Sequence, residues 1–320
     1  MRMLVFGAGA IGCAFGAFLS RHHDVTLFGR KSSMMAIRSG GLRISGIWGR
    51  HSFSASRCET DFRNLLRQKG SFELVLLTVK SYDTHQAARM ISKLVDSKTM
   101  VLSLQNGLGN IELLHHYVPK KQVLAGRVIF GVEFMTPKKR KASGVHIRIT
   151  VSAEPTAVGE TRQRGMTKRV KQLARIFSRS GIPTVASPDI RALLWKKVIY
   201  NCALNPLASL LRCHYGHLGE SPMTKAAMAE IIHEIYEVAQ KARVPLKPST
   251  PQKYLKLFYG KLLPRTYDHH PSMLQDLKKR RETEIHALNG QIVKLGKKYG
   301  VATPINRCVT ELIRERSMRA

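Results

Sequence analysis

Acidic side chains are scarce in this 320-residue chain: 21 Asp and Glu stand against 53 Lys and Arg, a formal net charge of +32. So lopsided a field draws anions of every kind, from nucleotide phosphates to nucleic acid, and leaves the fold undetermined. Cysteine is sparse too. Cys13, Cys58, Cys202, Cys213 and Cys308 are odd in number, dispersed and without C-x-x-C spacing. That argues against a disulfide framework or a zinc site and fits a reducing, cytoplasmic compartment. Internal repeats and low-complexity tracts are missing, and beyond the N-terminal stretch no segment approaches the ~18 apolar residues of a membrane span. Hydrophobic residues at 43% and charged residues at 23% are those of an ordinary globular chain, which argues against disorder. The apolar stretch behind Arg2, running to Leu19, has the outline of a signal peptide. Gly7, Gly9, Gly12 and Gly16 interrupt it, however, at a spacing that serves another purpose.

What is present is a change of texture along the chain. Residues 3–6 form a short apolar run, 10–20 carry helical spacing through Ile11, Phe15 and Leu19, and 24–28 read as a second strand. Strand, glycine turn, helix and strand within about 30 residues make a βαβ unit. Apolar runs at 73–79, 99–104 and 123–130 predict strands of a parallel sheet covered on both faces, with helices over 81–95 and 109–117 between them. Segment 137–150 reads as a basic turn, Pro137 to Lys141, entering an alternating strand through Val145, Ile147 and Ile149. A basic amphipathic helix at 163–179 and a strand near 182–186 follow. From Pro188 helical periodicity dominates, over 189–211, 223–242, 250–260, 272–299 and 303–316. The expected fold is α/β: an N-terminal Rossmann-type dinucleotide-binding domain over 1–187, then an all-helical C-terminal domain over 188–320.

Gly7-Ala8-Gly9-Ala10-Ile11-Gly12 is the dinucleotide fingerprint in its required setting, after a strand and opening a helix. Gly7 permits the tight turn, Gly9 lets backbone approach a pyrophosphate, and Gly12 lets helix and strand pack closely. The helix N-terminus then faces the phosphate charge. An NAD enzyme places an acid at the end of the second strand for the ribose hydroxyls; this chain has Gly29-Arg30-Lys31. A guanidinium can hold a 2′-phosphate bidentately, so NADPH/NADP+ is the expected cofactor. A surface arginine in so basic a chain is the plainer alternative.

Lys197, Asn201 and Asn205 are spaced i, i+4, i+8 and share one helix face. An ammonium and two amides make a poor core stripe and a good receptor for a carbonyl and its polar neighbours. A solvated face, with Asn205 marking a break before Pro206, is the alternative. Farther on, Leu277, Arg281, Glu284, Leu288 and Leu295 follow heptad-like spacing, which sets Glu284 in an apolar stripe. A carboxylate there is costly unless paired or used, and an ion pair with Arg281 or Arg280 would satisfy it. Ser272-x-x-Gln275 reads as a helix capping box. Lys80-Ser81 and Gln105-Asn106-Gly107 each follow a predicted strand, at the edge where α/β sheets bind ligands. Asn106-Gly107 is also an ordinary turn dipeptide.

These stretches together resemble the ketopantoate reductase family (2-dehydropantoate 2-reductase), and the likeness runs through nearly the whole chain. The residues that carry it are Gly7-x-Gly9-x-x-Gly12, Thr78-Val79-Lys80, Gln105-Asn106-Gly107, Trp195-Lys196-Lys197 through Asn201 and Asn205-Pro206, Ser272 to Asp276, Thr283-Glu284-Ile285 and Asn289-Gly290. The resemblance implies NADPH-dependent reduction of a small 2-oxo acid, ketopantoate to pantoate, in pantothenate and coenzyme A biosynthesis. It implies Lys197 as the general acid that protonates the carbonyl oxygen, and Glu284 as the group that holds a substrate hydroxyl and helps align Lys197. Asn201, Asn205 and Ser272 would fix the substrate, Asn106 would sit near the nicotinamide and substrate, and Lys80 would lie along the cofactor. One stretch departs. Where the family often has a further Asn in a Pro-Asn-Gly-like turn, this chain has Cys213-His214-Tyr215-Gly216.

Two other readings compete. One is a relative that reduces a different 2-oxo acid or forms an opine-like product. The other is a nucleotide-sensing, nucleic-acid-binding protein that kept the fold and lost catalysis, with basic runs at Lys138–Lys141, 162–179 and Lys278–Arg281 as its footprint. No DNA-reading motif accompanies those runs, and Lys197 and Glu284 are both in place. Nucleic acid is therefore not an expected partner, nor is a membrane; a homodimer is compatible with the chain.

Overall fold

The computed structural model describes residues 1–54, 57–135 and 144–319, and the basic turn from Pro137 to Lys141 lies outside them. The chain divides into two compact units, one of Met1–Gln105 with Asn110–Ile190, the other of Asn106–Gly109 with Arg191–Ala320.

Strands of the first unit are β1 (Arg2–Phe6), β2 (Asp24–Phe28), β3 (Leu42–Gly46), β4 (His51–Phe53), β5 (Arg57–Glu59), β6 (Leu74–Leu77), β7 (Met100–Ser103), β8 (Val123–Arg127), β9 (Phe130–Phe134), β10 (Val145–Ser152), β11 (Thr156–Glu160) and β12 (Thr184–Ala186). Its helices are α1 (Ala10–Leu19), α2 (Lys31–Gly40), α3 (Phe62–Leu66), α4 (Thr84–Ile91), α5 (Asn110–Leu114) and α6 (Lys168–Arg179). The main sheet runs β12-β11-β8-β7-β6-β1-β2-β5, parallel except where β11 meets β8. A smaller sheet, β4-β3-β10-β9, stands beside it.

Strand β6 shows why the central strands are apolar without alternation. Leu74 and Leu76 feed a core with Phe15, Phe18 and Phe177, while Val75 and Leu77 feed another with Ala87, Ala88 and Ile91. Both faces of the strand are covered, so each position is worth roughly 1.5–3 kcal/mol of burial. The single strand expected over 123–130 is two. β8 stays in the main sheet, and after Val128 and Ile129 the chain enters the smaller sheet as β9.

The second unit is helical: α7 (Ile190–Leu211), α8 (Tyr215–Leu218), α9 (Pro222–Lys241), α10 (Pro251–Leu257), α11 (Ser272–Lys278), α12 (Asn289–Tyr299) and α13 (Pro304–Arg319). Its core gathers Val198, Cys202, Ile231, Ile235, Phe258, Ile292 and Ile313. Pro206 sits inside α7 and has no N–H to offer the Cys202 carbonyl. The buried Asn289 side chain supplies the donor instead, Nδ2 to Cys202 O at 3.2 Å, and also reaches Asn306 Oδ1 at 3.0 Å. Asn306 Nδ2 in turn donates to Glu234 Oε2 at 2.7 Å. That carboxylate also accepts from the backbone N–H groups of Ile305 and Asn306, at 2.7 and 2.9 Å, and so caps the N-terminus of α13.

The continuous helix expected over 272–299 is broken. α11 stops at Lys278, Arg280 takes a φ of +50°, and Arg281 N–H returns to Asp276 O at 2.9 Å. The basic run Lys278–Arg281 thus sits at a helix C-terminus, where its cations meet the negative end of the dipole. Heptad spacing counted through this break has no meaning, and the ion pair with Arg281 or Arg280 does not form among the described residues. Arg281 is exposed, whereas Glu284 is buried at 7% exposure. The capping box is absent as well. Pro271 is the N-cap, Ser272 is the first helical residue, and no side chain caps the turn.

Candidate active site

In the first unit the glycine turn takes the form its spacing requires. Gly7 has a φ of +112°, and the N–H groups of Gly7 and Ala8 both donate to Phe28 O, at 2.9 and 3.0 Å. Thr78 Oγ1 donates to Gly7 O at 2.7 Å, tying the turn to the end of β6. A Cβ on Gly12 would stand 2.3 Å from Gly7 O, so glycine is what lets α1 close on the turn. At Gly9 the opposite holds: a Cβ would meet nothing within 4 Å. Gly9 is also the N-cap of α1, with no side-chain cap and no acid in the first turn. Unpaired N–H groups, open space and the positive end of a helix dipole suit an anion such as a pyrophosphate. Ala10 and Ile11 are the first two residues of α1.

Arg30 stands at the end of β2 as the exposed N-cap of α2, whose first turn also holds no acid. Sequence periodicity missed α2, since only Met34 and Ile37 are buried on it. Lys80 N-caps the short turn Ser81–Asp83 that follows β6. Gln105 braces that turn. Its Nε2 donates to Val79 O at 3.0 Å and to Thr84 Oγ1 at 2.7 Å, and its Oε1 accepts from Ser103 Oγ at 3.1 Å. A buried amide after a strand was the available signal for this role.

One residue further, the chain changes allegiance. Asn106–Gly109 packs with the helical unit. Gly107, at a φ of +86°, lies so close to Ala287 that a Cβ would stand 2.4 Å from its carbonyl oxygen, and Leu108 N–H donates to the same oxygen at 2.8 Å. This anchorage sets the Asn106 amide between two charged groups. Lys197 Nζ donates to Asn106 Oδ1 at 2.5 Å, and Asn106 Nδ2 donates to Glu284 Oε2 at 3.5 Å. Ammonium, amide and carboxylate thus lie in one hydrogen-bonded line, each end partly withdrawn from water.

Around this line the other expected residues differ. Asn201, one turn after Lys197 on α7, is half-buried, and its side chain makes no hydrogen bond among the described residues. Asn205 is buried at 7% exposure, and its Oδ1 accepts from Tyr215 OH at 2.5 Å. Ser272 is exposed and makes no side-chain hydrogen bond to the Lys197–Asn106–Glu284 line. Tyr215 escaped the sequence reading, which took its stretch only as a departure.

Comparison with known proteins bears on this geometry. Residues 3–155 match the family described as ketopantoate reductase PanE/ApbA, and residues 189–317 match its C-terminal counterpart. The 2-dehydropantoate 2-reductase of Aquifex aeolicus is 39% identical over 319 residues, spanning 99% of this chain and 97% of its own. The chain belongs to the ketopantoate reductase family. The 2-dehydropantoate 2-reductase of Halobacterium salinarum is 30% identical over 98% of each chain. Among solved structures, the PanE/ApbA family ketopantoate reductase from Ralstonia eutropha JMP134 matches at a TM-score of 0.84 and 29% identity, covering 100% of this chain and 99% of that one. D-mandelate dehydrogenase, solved with NADH and anilino(oxo)acetate, matches at a TM-score of 0.84 and 25% identity with the same coverage. Among the described residues no helix is long and apolar enough to cross a membrane. No group of three or more His, Cys, Asp or Glu among the described residues could hold a metal ion.

Proposed function

We propose that this chain is a cytoplasmic enzyme that reduces 2-dehydropantoate to pantoate with NADPH, a step toward pantothenate. The observation that carries the reading is the line Lys197–Asn106–Glu284, an ammonium and a carboxylate held to one amide in the helical unit. The names borne by the Aquifex and Halobacterium relatives support the substrate.

The glycine turn Gly7–Gly12 and the N-terminus of α1 would hold the pyrophosphate of the dinucleotide, Arg30 its 2′-phosphate, and Lys80 would lie alongside. NADPH, when bound, supplies a hydride to the carbonyl carbon of the substrate. Negative charge then grows on the carbonyl oxygen, and the Lys197 ammonium stabilises it and delivers the proton that completes the alcohol. Lys197 recovers that proton from solvent. Asn106, accepting from Nζ, fixes the direction of the ammonium beforehand, so little reorganisation is needed during reaction. Glu284 accepts the substrate hydroxyl and steadies Asn106 from its other side. Asn201, Asn205 and Ser272 bind the remaining polar atoms.

The test is NADPH oxidation by the purified protein with ketopantoate, pyruvate and 2-oxoisovalerate compared side by side. Ketopantoate should give the highest kcat/KM. A tenfold preference for another 2-oxo acid would reassign the substrate, and the absence of turnover on all three would remove the reading.

A further inference from the structure

We propose that Tyr215 is a positioning residue that fixes the Asn205 amide as a hydrogen-bond donor and so assigns it to the substrate carboxylate. The inference rests on the reading above, in which the Lys197 face of α7 receives the substrate.

An asparagine amide is ambiguous. Its two ends are nearly the same shape, and rotation by half a turn exchanges an acceptor for a donor pair. In this chain the amide is seated with its oxygen toward a hydroxyl. Tyr215 OH donates to Asn205 Oδ1 at 2.5 Å, with both residues buried, at 4% and 7% exposure. Burial pushes the Tyr215 phenol far above its ordinary range, so it remains a donor at every physiological pH. The Asn205 amide nitrogen makes no hydrogen bond among the described residues, which leaves its N–H groups as what this position offers.

The phenol cannot follow a rotating amide, because its own backbone is clamped. Tyr215 N–H donates to His269 O at 3.0 Å, and Gly216 N–H to Tyr267 O at 2.8 Å. A Cβ on Gly216 would stand 2.1 Å from the Tyr267 ring, so the clamp depends on glycine there. The Tyr215 ring rests against Tyr200 and His269, with centroids 6.0 and 5.2 Å away.

Substrate chemistry completes the assignment. A hydroxylated 2-oxo acid has three polar groups. The carbonyl oxygen goes to the Lys197 ammonium, and the hydroxyl, a donor, goes to the Glu284 carboxylate. The carboxylate remains, an acceptor that needs N–H groups, and Asn205 presents them. If Asn205 were free to turn, its oxygen would face that carboxylate in part of the population and repel it.

Tyr215→Phe keeps the ring and removes the donor. KM for ketopantoate should rise about tenfold while kcat changes less than threefold, as expected for contacts made equally in ground and transition states. NADPH affinity should be unchanged. The same KM penalty should appear with 2-oxoisovalerate, which keeps the carboxylate and lacks the hydroxyl, and it should vanish in an Asn205→Ala background, where no amide is left to orient. An unchanged KM, a penalty confined to ketopantoate, or a penalty that persists without Asn205 would each overturn the proposal. A fall in NADPH affinity together with a lower melting temperature would also overturn it, by making Tyr215 purely structural. Should the wild-type enzyme prefer a different 2-oxo acid, the functional reading alone fails. The Tyr215 test then runs unchanged on that acid, since every 2-oxo acid carries the carboxylate.

Discussion

The Asn289 side chain donates to the Cys202 carbonyl oxygen, 3.2 Å away, at the position in α7 where Pro206 withholds the helical N–H. A buried acceptor left unpaired costs free energy, so Asn289 repairs α7 from outside. Asn289→Ala should destabilise the protein by about 2–3 kcal/mol, since the bonds to Cys202 and Asn306 are both lost. Denaturant unfolding measures this. In a Pro206→Ala background the helix regains its own donor, and the same substitution should cost distinctly less. Equal losses in both backgrounds would show that the Cys202 contact carries no stability.

Lys197 and Lys196 are neighbours with unlike expected roles. Lys197 donates to Asn106 in the line that ends at Glu284. Lys197→Ala should lower kcat by the ~10²–10⁴-fold typical of a lost general acid, and Lys196→Ala should be mild. Steady-state kinetics of the two variants decide it, and the reverse ranking would displace Lys197 from the chemistry.

Arg30 separates the two nicotinamide cofactors. As the exposed N-cap of α2 it can meet a 2′-phosphate without disturbing the core. Arg30→Ala should weaken NADPH about tenfold to a hundredfold, the worth of a charged hydrogen bond, while NADH binding stays as it was. Titration of cofactor fluorescence reads both, and equal losses would place Arg30 outside the phosphate site.

Glu284 is buried, and neither Arg280 nor Arg281 pairs with it among the described residues. Glu284→Gln preserves shape, so the melting temperature and NADPH affinity should hold. Catalysis with ketopantoate should fall about tenfold to a hundredfold, and the loss should shrink with 2-oxoisovalerate, which lacks the hydroxyl. A lowered melting temperature with equal losses on both acids would mark Glu284 as structural.

The glycine turn was legible because its backbone demands are local: Gly7 takes a φ of +112°, and a Cβ on Gly12 would stand 2.3 Å from the oxygen of Gly7. The face Lys197–Asn201–Asn205 was legible for the same reason, since α7 keeps one helical phase throughout. Glu284 was located by the wrong argument. The periodicity that singled it out crosses a break at Arg280, where a buried Thr283 and Glu284 and an exposed basic run override local helical preference. Tyr215 and Asn289 were not legible as contacts at all, because each acts on a partner brought near only by packing, across 10 and 87 positions of chain. The strands β3, β4 and β5 escaped because they are short and partly exposed.

The tetrapeptide Asn106–Gly109 belongs by sequence to one half of the chain and by packing to the other. The helical half is consequently not a contiguous object. A fragment begun after residue 187 would lack four residues that its own fold requires, and the Ala287 carbonyl would lose the Leu108 donor that covers it. Recombination between relatives has the same constraint: a helical half taken from one parent must bring its Asn106 loop with it, or the line from Lys197 to Glu284 would be assembled from parts that never evolved together.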